Sequence, residues 1–377
     1  MAGAVPWRVD ALELTDLRCW AHLALEFPPG LIVINGPNGA GKTSIVEGIV
    51  VATLGVSPRS AQMADLVRSG APAVRVGGDF IDPTHPGRST RREIGYATGI
   101  GRRMTLDGVG VRQLQVWRRP GAVLVFVPEE LRAVKGPPAA RRRSLDRLLE
   151  AVSLGFGEDL AAYQEALSQR NALLRRARTG AADVRTAFPW EARMAAHGAR
   201  VSAARRRMIG EIAPRYAFWL DRLGGGRDGD LRWEASPSAV ADTSDGAMEE
   251  ALRAYLEDRR PRDLAAGMTT AGPHRDDVWI GAAGRDLRRL GSQGEQRTAA
   301  LAILLAHRDV MRAAGGGPIL LLDDVLSELD PERRAALLAA LEGDEQVIIT
   351  SADPAASLQG TSRETTIFRV HDGVCTT

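Results

Sequence analysis

Hydrophobic and polar positions follow two periods along this chain. Residues 7–27 place Val9, Leu12, Leu14 and Leu17, then Leu23, Leu25 and Phe27, in near-alternation, which predicts strands closed by Pro28-Pro29-Gly30. Leu31-Ile32-Val33-Ile34 is an unbroken apolar run and predicts a buried strand, with the preceding strands paired beside it. Ile45–Leu54 reads as a helix. Short β-like pieces at 73–80, 91–96, 103–106 and 123–127 sit in a stretch rich in Gly, Pro and Arg. They predict a small, mainly antiparallel sheet that completes a first lobe.

At Pro128 the period becomes helical. Leu145, Leu148, Leu149 and Val152 share one face, as do Leu160, Tyr163, Leu167 and Leu174 in a helix over 158–178. A third helix opens at Pro189 and carries Trp190, Met194, His197, Val201, Ala204, Met208 and Ile212 at spacings of three and four. The last two suit an antiparallel hairpin with a coiled-coil-like seam, on which His197 reads as a packed residue. A strand at 231–235, a helix over 248–260 and a strand at 278–280 follow. A strongly apolar helix at 298–307, strands at 319–322 and 347–349 and a helix from Pro331 to Leu341 complete the pattern. The chain therefore reads as α/β: a first lobe over 1–127, a mainly helical insertion over 128–314 with an arm at about 156–222, and a return to the first lobe over 315–377.

Composition narrows the class. The 377 residues are 44% hydrophobic, enough for more than one core. Cys19 and Cys375 form no disulfide framework and no metal-ligand spacing, which suits a reducing compartment. No apolar run approaches membrane-spanning length and no secretory signal pattern opens the chain, so a cytoplasmic protein without a membrane span is expected. Net charge is only +2, but residues 128–215 hold 17 Arg or Lys against 10 Asp or Glu, while 315–377 hold 4 against 11. The middle of the chain can meet a polyanion and the tail cannot. Arginines at 141–143, 175–178 and 205–207 are candidates for phosphate contacts.

The candidate chemistry starts where the buried strand ends. Gly36-Pro37-Asn38-Gly39-Ala40-Gly41-Lys42-Thr43-Ser44 fits G-x-x-x-x-G-K-[ST] between a strand and a helix. Its glycines let backbone N–H groups curl inward around phosphates, and the helix N-terminus adds partial positive charge. Lys42 supplies a point charge for the β- and γ-phosphates and the Thr43 hydroxyl can ligate Mg²⁺. Of 49 basic side chains only Lys42 and Lys135 are lysine, so this position kept the compact ammonium in a chain otherwise committed to arginine.

Three further stretches complete a set. Ile319–Leu322 runs into Asp323-Asp324, where Asp323 can hold Mg²⁺ and Asp324 can orient the attacking water. Ser327-Glu328-Leu329-Asp330 follows it. Upstream, Ser292-Gln293-Gly294-Glu295 opens the apolar helix as another anion-binding helix end. In this order the set resembles the ABC-type ATPase head, with Ser292 and Gly294 in the signature and Ser327–Asp330 as the D-loop. That resemblance implies a site completed in trans, the signature of one copy capping the γ-phosphate held by the P-loop of another. Val127–Leu131, Ser168–Leu173, Gly272–Asp277 and Asp323–Asp330 narrow the resemblance to the bacterial RecF family, over about residues 7–350.

The resemblance implies a two-lobed head related to SMC heads, with a short helical arm. It also implies an ATP-dependent homodimer that binds DNA, double-stranded and at gaps or single-strand/double-strand junctions. Slow DNA-stimulated ATP hydrolysis and work with RecR, RecO and RecA at gaps are implied as well. Departures from the wider ABC pattern stand out. Asp324 replaces the usual glutamate, Thr350 and Ser351 stand where a switch histidine is expected, and no clear Q-loop glutamine is present. Glu129 and Glu130 lie near the Q-loop by order. His274 and Arg275 either act or cap a turn. A structural SMC-like head and a transporter-type ATPase subunit are the alternative functions.

Overall fold

The computed structural model describes residues 5–353 except 84, 86, 241, 242 and 344, and residues 363–376 except 372. It divides into two compact units. The first comprises 1–131, 222–224 and 300–377; the second comprises 132–221 and 225–299.

The first unit contains two six-stranded sheets. One is antiparallel, in the order β2 (Trp20–Glu26), β1 (Arg8–Leu17), β4 (Ala73–Ile81), β5 (Ser89–Ala97), β6 (Gly101–Leu106) and β7 (Val109–Val111). The other runs β15 (Val374–Thr376), β14 (Thr365–His371), β3 (Leu31–Asn35), β13 (Val347–Ser351), β12 (Ile319–Asp323) and β8 (Val123–Phe126). It is parallel apart from the β14–β15 pair. Between them lies the helix Lys42–Leu54, whose Ile45, Val46, Ile49 and Val50 pack into one core with Leu12, Leu14, Ile32, Ile34, Val76 and Phe80. A helix covered on both sides needs no polar stripe, and this one has none over Ile45–Ala52 except Glu47 and Gly48.

Two expected pairings are corrected. β1 and β2 do not flank β3; they pair with each other and with β4. The 123–127 segment does not join the antiparallel sheet; β8 lies parallel to β12. The reason is in the pattern. β3 is buried on both faces and takes parallel neighbours, β13 and β14, whereas β1 and β2 bury alternate residues and suit an antiparallel sheet with one wet face.

The second unit contains the helices Pro138–Val152, Phe156–Arg178 and Phe188–Arg222, the last running to the unit boundary. It also holds a three-stranded sheet of β11 (Arg285–Asp286), β10 (Asp277–Ala282) and β9 (Gly229–Glu234). The expected helix over 248–260 ends at Asp258, because Pro261 opens a new helix, Arg260–Ala266. After 222–224, the chain returns to the first unit at 300, inside the helix Gln293–Ala313, where the sequence pattern placed the return at 315. That helix's later half explains the shift, since Ala300–Arg308 is buried throughout. His197 is half-buried and bonds Asp159 Oδ1 through Nδ1 at 2.8 Å.

Candidate nucleotide site

The parallel sheet delivers the site's residues to one edge. β3 feeds the 36–44 loop, β12 ends at Asp323, and β13 lies between them in register, with Asp323 opposite Thr350 and Asn35 opposite Ser351. Ligands of open α/β sheets bind at such carboxyl ends of strands. Two glycines are required by their surroundings. A Cβ on Gly36 would lie 2.3 Å from the Val370 carbonyl oxygen, and Gly41 has φ +101 with Cys19 Sγ 2.6 Å from where a Cβ would be. Trp20 Nε1 donates to the Gly41 carbonyl at 3.1 Å and fixes the loop's exit into the helix.

Lys42 is buried, and its ammonium donates to the carbonyls of Gly36 at 2.7 Å and Pro37 at 2.9 Å. Burial pushes its pKa down, while Asp324 and Asp323 pull it back up. The Thr43 hydroxyl donates to the Asp323 carboxylate, 2.9 Å from each oxygen. Thr350 Oγ1 donates to Asp323 Oδ1 at 2.6 Å and accepts from the Asp324 backbone N–H at 2.9 Å. Burial raises the Asp323 pKa, opposed by these two hydroxyls and by the field of Arg59. Asp324 sits at φ +50, a left-handed conformation uncommon outside glycine, and its Oδ1 is buried without a partner among the described residues. Asn35 Oδ1 is in the same condition.

This donor set fits a hard divalent cation. A hydroxyl and a buried carboxylate in contact, with unpaired oxygens nearby, match the one or two protein ligands that Mg²⁺ takes beside phosphates.

The remaining predicted residues are placed differently. Ser292 and Gly294 belong to the second unit, at the start of the helix Gln293–Ala313. Ser292 is exposed, and it forms a reciprocal cap with Glu295: Ser292 N donates to Glu295 Oε2 at 2.8 Å, and Glu295 N to Ser292 Oγ at 3.2 Å. The carboxylate of Glu295 is thus bound to the helix end and to Arg285 at 2.8 Å, and its pKa is lowered first by the Ser292 N–H. Asp330 caps the helix Pro331–Ala340 by accepting from Arg333 N at 2.9 Å. Ser327 Oγ donates to the Asp324 carbonyl at 3.0 Å.

Thr350, Arg59 and Trp20 were not singled out as site residues by the sequence patterns. Thr350 carried a signal, standing where a histidine was expected; Arg59 and Trp20 carried none. Arg18, which also carried no signal, occupies the β1–β2 turn and clasps Glu47 of the P-loop helix with Nε and Nη2, each at 2.9 Å.

Comparison with known proteins identifies the chain's relatives. The AAA domain family matches residues 11–80. The DNA replication and repair protein RecF of Geobacter sulfurreducens is 36% identical over 373 residues, covering 98% of this chain and 99% of that protein. RecF of Acidothermus cellulolyticus is 36% identical over 350 residues, covering 91% and 93%. A solved recombination mediator protein RecF with ATP, of the RecFOR pathway, matches with TM-score 0.89 at 26% identity, over 100% of this chain and 98% of that one. An Smc head bound to the C-terminal winged-helix domain of ScpA matches with TM-score 0.59 at 14% identity, over 98% and 96%, and shows the shared ABC-type head fold alone. With relatives this similar along nearly its whole length, the chain belongs to the RecF family of DNA replication and repair proteins.

Proposed function

We propose that this chain binds ATP with Mg²⁺, dimerises on it, and in that state grips DNA at gaps and single-strand/double-strand junctions. Slow, DNA-stimulated hydrolysis releases the grip. The partners in that reading are RecR and, through it, RecO and RecA, and the compartment is the cytoplasm. The observation that carries it is the contact of Thr43 and Thr350 with Asp323 beside the buried Lys42, in a chain whose RecF relatives match end to end.

The residues divide the work. Lys42 leaves two carbonyls for the β- and γ-phosphates, and backbone N–H groups of Gly39–Ser44 meet the phosphate oxygens. Thr43 and Asp323 would hold Mg²⁺, which neutralises phosphate charge when bound. Asp324 orients the attacking water, and being one methylene shorter than glutamate it suits a timer more than a fast enzyme. Ser292 and Gly294, at an exposed helix N-terminus, cap the γ-phosphate of a second copy, with Asp330 beside it.

Sedimentation with and without ATP and a gapped duplex tests the reading. A monomer that becomes a dimer on ATP, and binds the duplex as a dimer, is expected. Lys42→Ala should stay monomeric and lose nucleotide affinity by at least ~100-fold. Turnover of ATP by single copies, independent of protein concentration and of DNA, would overturn it.

A further inference from the structure

The segment Gly272-Pro273-His274-Arg275-Asp276-Asp277 is pinned by three helices of the second unit. Asp276 is buried and accepts from Arg205 Nη1 at 3.0 Å, Ser236 N at 2.8 Å and Trp233 Nε1 at 3.2 Å. Arg205 also clasps Asp146 with two bonds of 2.9 Å and donates to the Pro273 carbonyl at 2.6 Å. Arg141 clasps Asp277 at 2.7 and 2.6 Å, and Arg142 donates to the Asp276 carbonyl. His274 Nδ1 lies 2.7 Å from Tyr163 Oη, and its Nε2 lies 3.3 Å from the Thr269 carbonyl. Gly272 has φ +132, and a Cβ there would lie 2.7 Å from Tyr163 Oη.

One side chain in this segment is left over. Arg275 is exposed and makes no side-chain hydrogen bond or ion pair among the described residues, while its backbone N–H is held by the Gly272 carbonyl at 2.7 Å. Behind it, the guanidiniums of Arg141, Arg142 and Arg205 are matched in number by the carboxylates of Asp146, Asp276 and Asp277. The surplus positive charge is therefore at Arg275. A turn leading into a strand needs no such scaffold, since a glycine and a proline suffice. Buried ion pairs add little stability over apolar packing, so a cluster of them is better explained by what it holds in place.

We propose that Arg275 is a phosphate-contacting residue for the nucleic acid, presented at a fixed position by the buried charges of 141–146, 205 and 276–277. The inference rests on the DNA-binding reading and names one of its contacts. A planar guanidinium on an immobile backbone matches two oxygens of a phosphodiester and loses little freedom on binding. The contact is to the backbone, so it favours no base sequence.

The test is a salt titration of gapped-duplex binding, in saturating ATP, for wild type, Arg275→Ala and Arg275→Lys. Loss of one phosphate contact per copy should lower the log–log salt slope by about 0.9 for each copy of the dimer that grips the duplex, and the affinity by at least about 5-fold at moderate salt, with most of the slope kept in Arg275→Lys. Melting temperature and ATP affinity should match wild type in both, because the side chain is exposed. An Arg275→Ala protein with the slope and affinity of a DNA-binding wild type overturns this assignment alone. A wild type with no salt-dependent affinity for the duplex overturns the DNA reading and this contact with it. Normal DNA binding in Arg275→Ala beside loss of an acidic protein partner would also overturn it.

Discussion

Asp324 is held in a backbone conformation that costs on the order of 1–3 kcal/mol for a non-glycine residue. Thr350 is what holds it there, through the bond from the Asp324 N–H, while its own hydroxyl proton goes to Asp323. One side chain thus ties the two carboxylates together. Thr350→Val keeps the shape and removes both bonds. Hydrogen bonds to charged groups are worth about 1.5–3 kcal/mol, so ATP turnover should fall by about 10- to 100-fold. Nucleotide affinity should stay within about 3-fold, and Thr350→Ser should restore turnover. Steady-state kcat and KM check it, and a Thr350→Val enzyme with wild-type kcat would refute the bridging role. Lys42, Thr43 and Asp323 were legible beforehand because the spacing of a phosphate loop and the end of an apolar strand are local facts. That Thr350 faces Asp323 depends on strand register between residues 27 positions apart.

Among the elements, the helices of the second unit show how arginine is used. Arg141 and Arg205, named from the sequence as candidates for phosphate contact, are buried in ion pairs, and Arg206 and Arg207 bond Asp245. Arg143, Arg175 and Arg176 remain exposed. Arg170 is fully buried between Glu191 at 3.0 Å and Asp263 at 2.7 Å, so a chain segment rich in basic residues is partly neutralised inside. Charge counts alone cannot separate the two uses, because Arg serves in internal pairs as readily as at a surface. The same unit makes a pH prediction. Burial lowers the His274 pKa to about 4, below the ordinary 6.5. Its contribution is present in full above pH 6.5 and is lost as pH falls toward 4, because the unfolded chain takes the proton first. Burial raises Asp276 to about 6, which acts in the opposite sense over the same range. His274→Gln leaves Asp276 in place and should therefore lose about 2 kcal/mol less than wild type on going from about pH 7.5 to about pH 5. Urea denaturation at the two pH values measures the difference, and equal losses would show that His274 is not held neutral.

For the whole molecule, the proposed trans site makes a prediction no single copy can meet. Lys42→Ala spoils the P-loop of its own copy, and Ser292→Arg spoils the signature it offers to another. Each variant alone should be inactive. Neither variant can pair with itself, so mixed they form only heterodimers with one intact site of two, and activity should return to as much as about half of wild type. A DNA-stimulated ATPase assay of the mixture reads this, and a mixture as dead as its parts would remove the shared site. The sequence by itself determined the phosphate loop, the carboxylate-ended strand and the helical character of the middle segment. Each is set by apolar period and residue type within about a dozen neighbours. It also carried the family resemblance that the relatives confirm. Tertiary structure alone decided that β3 lies between β13 and β14 and that Thr350 meets Asp323. It alone decided that most of the Gly272–Asp277 segment is clamped while Arg275 is left exposed. These depend on which distant strands pair and which charges find partners when water is excluded, and no local pattern encodes either.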